Sequence, residues 1–172
     1  AKGLNHFNPE TGKSKQYLND PDDPNTLNQN YVWSVCEGEN GIIWIGTNGG
    51  GLNKLDTKTD SFTAYRVKDG LPNESIWGVL PDQQGNIWIS TSKGLSKFNP
   101  ETEEFLNFDI KDGLQGLGFN GGAYHRSDDG EMFFGGLNGF NAFYPSNVTK
   151  NDYKAPVVIT SLQIFNKPVP IG

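Results

Sequence analysis

Apolar and polar positions follow two rhythms along this chain. Short alternating runs such as "YVWSVCE" (31–37) and "SIWGVLPD" (75–82) read as strands with one or two buried faces. Each is followed by a longer mixed segment that recurs. "GIIWIGTNGGGLNKLDTKTDSFTAY", beginning at Gly41, returns as "GNIWISTSKGLSKFNPETEEFLNF" from Gly85 and, more divergent, as "GEMFFGGLNGFNAFYP" from Gly130. Trp44, Trp88 and Phe133 hold equivalent places, 44 and then 45 residues apart. The opening "GLNHFNPETGKSKQYL" repeats only the second half of the unit, with Gly3-Leu4, Gly51-Leu52, Gly94-Leu95 and Gly139-Phe140 aligned.

A period of this length is that of a propeller blade, and it predicts four strands per unit. In the unit from Val32 these are 32–37, 42–47, 51–56 and 61–66, with Gly, Asn or Asp at the corners. Such corners need glycine where φ is positive. The expected fold class is all-β: a partial β-propeller of four-stranded antiparallel blades, about two full blades flanked by partial ones. The expected division is outer strands of a preceding blade at 1–30, blades at 31–69 and 70–111, a partial last blade at 112–150, and a linker with the first strand of a β-sandwich at 151–172. Such a run is too short to close a ring. Its end blades would expose apolar faces and unpaired edges, from which self-association is expected.

Composition narrows the class further. With 22 Gly and 10 Pro in 172 residues, long helices are not expected. A net charge of −6 and the lack of a basic stripe set nucleic acid aside as a partner. No apolar run approaches the roughly 20 residues that span a bilayer, so no direct membrane insertion is expected. Cys36 has no second cysteine to pair with and lies in an apolar run, which points to a buried structural thiol.

The stretch "DGLPNESIWGVLPDQQGNIWISTSKGLSKFNPETEEF" (69–105) resembles, along its whole length, the blade consensus of the periplasmic two-component-regulator propeller repeats found in hybrid two-component sensors of gut Bacteroidetes. "GFNGGAYHRSDDGEMFFGGLNGFNAFYP" (118–145) resembles the final blade of such a sensor, and "APVVITSLQIFNKPVPIG" (155–172) the start of the sandwich that follows it. The resemblance implies a periplasmic, extracytoplasmic part of an inner-membrane protein. It further implies oligosaccharide sensing, a histidine kinase elsewhere in the parent, and control of polysaccharide-utilisation genes. The parent's other blades and sandwich are the implied partners.

No enzyme motif is present: there is no GxSxG, no HExxH, no phosphate loop with its lysine and no cysteine pair for zinc. No catalytic residue, cofactor or metal is expected. His6 aligns with Lys54 and Lys97 and reads as a solvated strand residue; His125 aligns with Leu80 and reads as a packed one. The acidic turns at 19–25 and 127–130 lack EF-hand spacing and read as solvated turns. Trp44 and Trp88 are expected to pack between blades. Trp33 and Trp77 stand near the channel mouth, where packing is the first expectation and a sugar platform the alternative. Propeller ligands meet the ring near its central channel, so the candidate ligand residues are Asn30, Tyr31, Trp33, Asn73, Glu74, Trp77, Asn120, His125 and Arg126. The competing functions are a purely structural role in signal relay and a streptogramin-lyase-like propeller enzyme.

Overall fold

A computed structural model of the chain describes residues 2–148, together with the backbone of Gln163–Ile164 and Lys167–Pro168. Blade one is a hairpin of β1 (Leu4–Phe7) and β2 (Ser14–Tyr17). Blade two is an antiparallel sheet of β3 (Val32–Glu37), β4 (Ile42–Thr47), β5 (Leu52–Asp56) and β6 (Ser61–Tyr65), in that order. Blade three repeats it with β7 (Ile76–Pro81), β8 (Ile87–Thr91), β9 (Gly94–Asn99) and β10 (Glu104–Phe108). Blade four contains β11 (Phe119–Arg126), β12 (Met132–Gly136) and β13 (Gly139–Phe143). The strands predicted at 32–37 and 42–47 are observed. The two outer ones are a residue shorter, because Gly51 turns at φ +72° and Arg66 opens a 3-10 turn capped by Asp69. The sandwich expected at 151–172 lies outside the described residues, apart from the backbone of β14 (Gln163–Ile164) and β15 (Lys167–Pro168), which pair antiparallel.

The first strands β3, β7 and β11 pack side by side, which makes them innermost, and the sheets stack face to face around them. β8 is buried at every position because neighbours cover both of its faces; a strand with one wet face would alternate. Trp44 meets Ile76, Val79, Ile87, Ile89 and Phe98 across the blade two–blade three junction. Trp88 does the same with Phe119, Met132 and Phe134 of blade four. Burying an indole removes roughly 150–250 Å² from water, about 4–6 kcal/mol as an upper bound at ~25 cal/mol per Å², so these two residues anchor their junctions.

Polar contacts repeat with the same period. The backbone N–H of Gly3, Gly51 and Gly94 donates to the carbonyl of Asn30, Glu74 and Leu117, at 3.1, 3.0 and 2.7 Å, tying each blade to the loop that enters the next. At the rim, Tyr17 donates to Asp60 at 2.9 Å and Tyr65 to Glu103 at 2.8 Å. The same glycines lie against the outermost strand of their own blade: a Cβ on Gly51 or Gly94 would stand 2.2 or 2.3 Å from the carbonyl oxygen of Tyr65 or Phe108. At Gly139 nothing among the described residues lies within 4 Å of that position.

His125 departs from expectation. It pairs with Phe133 in the register of Leu80 with Trp88, yet it is exposed, because it occupies the face of blade four that no sheet among the described residues covers. Phe140 is 67% and Leu137 81% exposed on the same blade. His6 is exposed on β1 as expected.

Candidate functional site

The innermost strands share an irregularity that sequence periodicity did not reveal. β3 and β7 each carry a β-bulge, between Val32 and Ser34 and between Ile76 and Gly78, so Trp33 and Trp77 are the extra residues. A bulge twists the strand and re-aims its side chain, which is how it can lift a large ring out of a junction. β11 is interrupted at the corresponding place between Phe119 and Tyr124, and its residues there, Asn120 to Ala123, include two glycines.

These interruptions bring three blades to one spot. The rings of Trp33 and Trp77 meet edge to face at 5.3 Å, and Tyr31 lies 5.5 Å from Trp33. Gly121 approaches both indoles; a Cβ there would be 3.1 Å from Trp33 and 3.5 Å from Trp77. Tyr31 is 47% and Trp33 39% exposed, so the cluster presents aromatic surface to solvent. Trp77 Nε1 donates to Ser92 Oγ at 3.1 Å. Ser75 Oγ bonds Asn48 Oδ1 at 3.0 Å nearby. Sequence pattern does not single out Ser92, Gly121, Asn48 or Ser75: the first two lie in a turn and an irregular stretch of β11, and the last two form a lone bridge between blades, so only the folded sheets bring them here.

The polar candidates divide by what they already do. Asn73 Oδ1 accepts from the Ser75 N–H at 2.9 Å, a local turn bond. Glu74 receives Nε–H of Arg66 at 3.0 Å and a second bond from the same guanidinium, which holds its carboxyl below the usual range. Asn30 Oδ1 accepts from the Asn19 N–H at 2.7 Å. All three therefore shape the entry loops, while Asn120 is exposed beside the rings. His125 and Arg126 end β11, whereas Asn120 begins it. The nine candidates consequently fall on two faces: Arg126 donates to the Pro81 carbonyl at 2.6 Å, at the far end of β7 from Trp77. The acidic turns are used locally, Asp20 and Asp23 accepting backbone N–H groups of Asp22 and Asn25. Among the described residues no three His, Cys, Asp or Glu gather as a metal site, and no helix is long and apolar enough to cross a membrane.

Repeated antiparallel sheets stacked through their first strands define a run of β-propeller blades. Residues 26–49 and 70–93 match the two component regulator propeller family. It is 31% identical, over 220 aligned positions, to histidine kinase P4 of Formosa agariphila; the match covers all of this chain and 16% of that protein's length. Two structures of the extracellular domain of BT4673 from B. thetaiotaomicron, described as a one component and a hybrid two component system, superpose with TM-scores of 0.70 and 0.67. Their identities are 22% and 24%, over 91% and 85% of this chain and 22% and 21% of theirs. Virginiamycin B lyase from Staphylococcus aureus shares the fold at a TM-score of 0.55 and 18% identity, over 84% of this chain and 49% of its own.

Proposed function

We propose that this chain is a non-catalytic piece of the extracytoplasmic sensor region of a hybrid two-component histidine kinase, and that it contributes an oligosaccharide-binding surface. Ligand occupancy would be passed through a following sandwich domain to the kinase, and from there to polysaccharide-utilisation genes. Further blades of the parent would cover the free face of blade four. One observation carries the reading: bulges at the same register of adjacent innermost strands hold Trp33 and Trp77 together, with Trp33 exposed and Trp77 half-buried beside it. A purely structural propeller would gain more by burying both indoles in the junctions, as it buries Trp44 and Trp88. The planar faces suit the apolar face of a sugar ring, and the serine and asparagine groups around them suit its hydroxyls.

The test is calorimetric titration of an oligosaccharide panel into the chain, and into its Trp33→Ala and Trp77→Ala variants. At least one oligosaccharide should bind, and each substitution should weaken it about tenfold or more, the equivalent of ~1.4 kcal/mol. No binding across the panel would leave the structural role as the correct one, binding that both variants retain would remove the Trp33–Trp77 surface from the reading, and turnover of a streptogramin substrate would favour the lyase.

A further inference from the structure

Trp33 and Trp77 are equivalent in the repeat, yet they are held differently. Trp77 Nε1 donates to Ser92 Oγ at 3.1 Å, and its ring packs against the buried cluster of Trp88, Phe119 and Phe134. Among the described residues Trp33 packs into no buried cluster, and its indole N–H has no acceptor. The difference comes from the turn after the second strand of each blade. Asn48 stands in blade two where Ser92 stands in blade three, and its Oδ1 already accepts from Ser75 Oγ at 3.0 Å. Ser75 in turn stands where blade two has Tyr31, so one blade places a bridging hydroxyl at this position and the other an aromatic ring beside Trp33.

Ser92 is itself anchored. Its N–H donates to the Ser75 carbonyl at 3.3 Å, Ser75 Oγ donates to Asn48, and the Asn48 N–H donates to the Tyr31 carbonyl at 2.9 Å. A continuous set of bonds thus runs from the Trp77 ring to the entry loop of blade two, tying that ring to the backbone of both blades. A hydroxyl that accepts one bond keeps its own proton, so Ser92 can still donate to a ligand. From blade four, Gly121 faces Cζ3 and Cε3 of Trp33 and Cε3 of Trp77. These atoms belong to the benzo edge of each indole, opposite the edge that carries the N–H, so the Trp33 donor is on the side away from Gly121.

We propose that Ser92 is the positioning residue of this aromatic pair: its hydroxyl fixes Trp77 as the rigid stacking face, and Trp33, which has no such partner, gives its N–H to a sugar hydroxyl. The Trp33 half rests on the oligosaccharide reading above; the Ser92 half stands on the protein's own bonds. Trp33→Phe and Trp77→Phe assign the two indole N–H signals in NMR spectra of the full chain. Exchange of the Trp77 indole proton with water should be at least tenfold slower than that of Trp33. Ser92→Ala should bring the Trp77 rate to within about threefold of the Trp33 rate, and Ser92→Thr, which keeps the hydroxyl, should restore the slow rate. Equal rates in the wild type, or a Trp77 rate that Ser92→Ala leaves unchanged, overturn the positioning role whether or not a sugar binds. Cellotetraose, xylotetraose and laminaritetraose then serve as titration probes. One that binds should slow Trp33 exchange at least threefold and leave Trp77 exchange unchanged. Its affinity should fall about two- to tenfold in Ser92→Ala, the equivalent of one hydrogen bond, and less than twofold in Ser92→Thr. Binding that leaves Trp33 exchange unchanged, or that ignores Ser92→Ala, overturns the assigned roles. If none of the three binds, the Trp33 donor role falls, and the exchange rates still decide whether Ser92 holds Trp77.

Discussion

Replacing Gly51 by alanine tests the geometry on which the blade repeat rests, and Gly12 provides a matched control. Both residues have positive φ, +72° and +68°, so an alanine at either position pays a similar left-handed penalty of about 1–2 kcal/mol. Their surroundings differ. At Gly12 nothing among the described residues lies within 4 Å of a new Cβ, whereas at Gly51 it would meet the Tyr65 carbonyl oxygen at 2.2 Å. Reaching an ordinary contact of about 3.4 Å requires β5 and β6 to part by about 1.2 Å at this point. The Gly51 N–H would then be pulled from Glu74, and its carbonyl from the N–H and hydroxyl of Thr47. At about 0.5–1.5 kcal/mol for each bond lost, three losses add roughly 1.5–4.5 kcal/mol to the conformational penalty. Gly51→Ala should therefore destabilise by about 2.5–6.5 kcal/mol and Gly12→Ala by about 1–2. Urea denaturation followed by tryptophan fluorescence measures both. A Gly51→Ala midpoint equal to that of Gly12→Ala would refute the claim that close approach, rather than φ alone, selects this glycine.

Two further outcomes follow from titrating groups. Burial pushes the Cys36 thiol up to about 12, against a smaller opposing effect of Arg126. At pH 8 about one thiol in ten thousand is then ionised, against about a quarter for a free cysteine of pKa ~8.5. Iodoacetamide should consequently label the native chain at least a hundredfold more slowly than the urea-unfolded chain. The Tyr65 phenol is raised by burial and then by its bond to Glu103. A raised native pKa means that the protonated phenol stabilises the fold fully below the unfolded value near 10, and that this support is lost as pH climbs through the higher native value. Tyr65→Phe should cost about 0.5–1.5 kcal/mol at pH 7, and the gap to wild type should shrink above pH ~10; a gap constant to pH 11 in denaturant midpoints would contradict the rim contact.

Much of the fold was legible in the sequence because the repeat supplies its own alignment. Trp44 and Trp88 announced buried junctions by recurring in register, and the equivalent glycines announced tight turns, since both demands recur once per blade. The site was less legible. Asn73, Glu74 and Asn30 look like free polar groups in the sequence, but local turn bonds and the Arg66 guanidinium occupy them, and nothing in residue spacing records those partners. Arg126 and His125 are close to Asn120 in sequence, yet the length of β11 carries them to the other end of the strand. Only the tertiary structure placed the bulges, which depend on two paired strands disagreeing in length by a residue. It alone revealed that Trp33 and Trp77 touch. Sequence by itself determined the repeating unit, because period and turn chemistry are properties of the chain read in order. Which repeats differ in their surroundings was decided by the fold, because an indole's partner and a face's exposure depend on residues a full blade away.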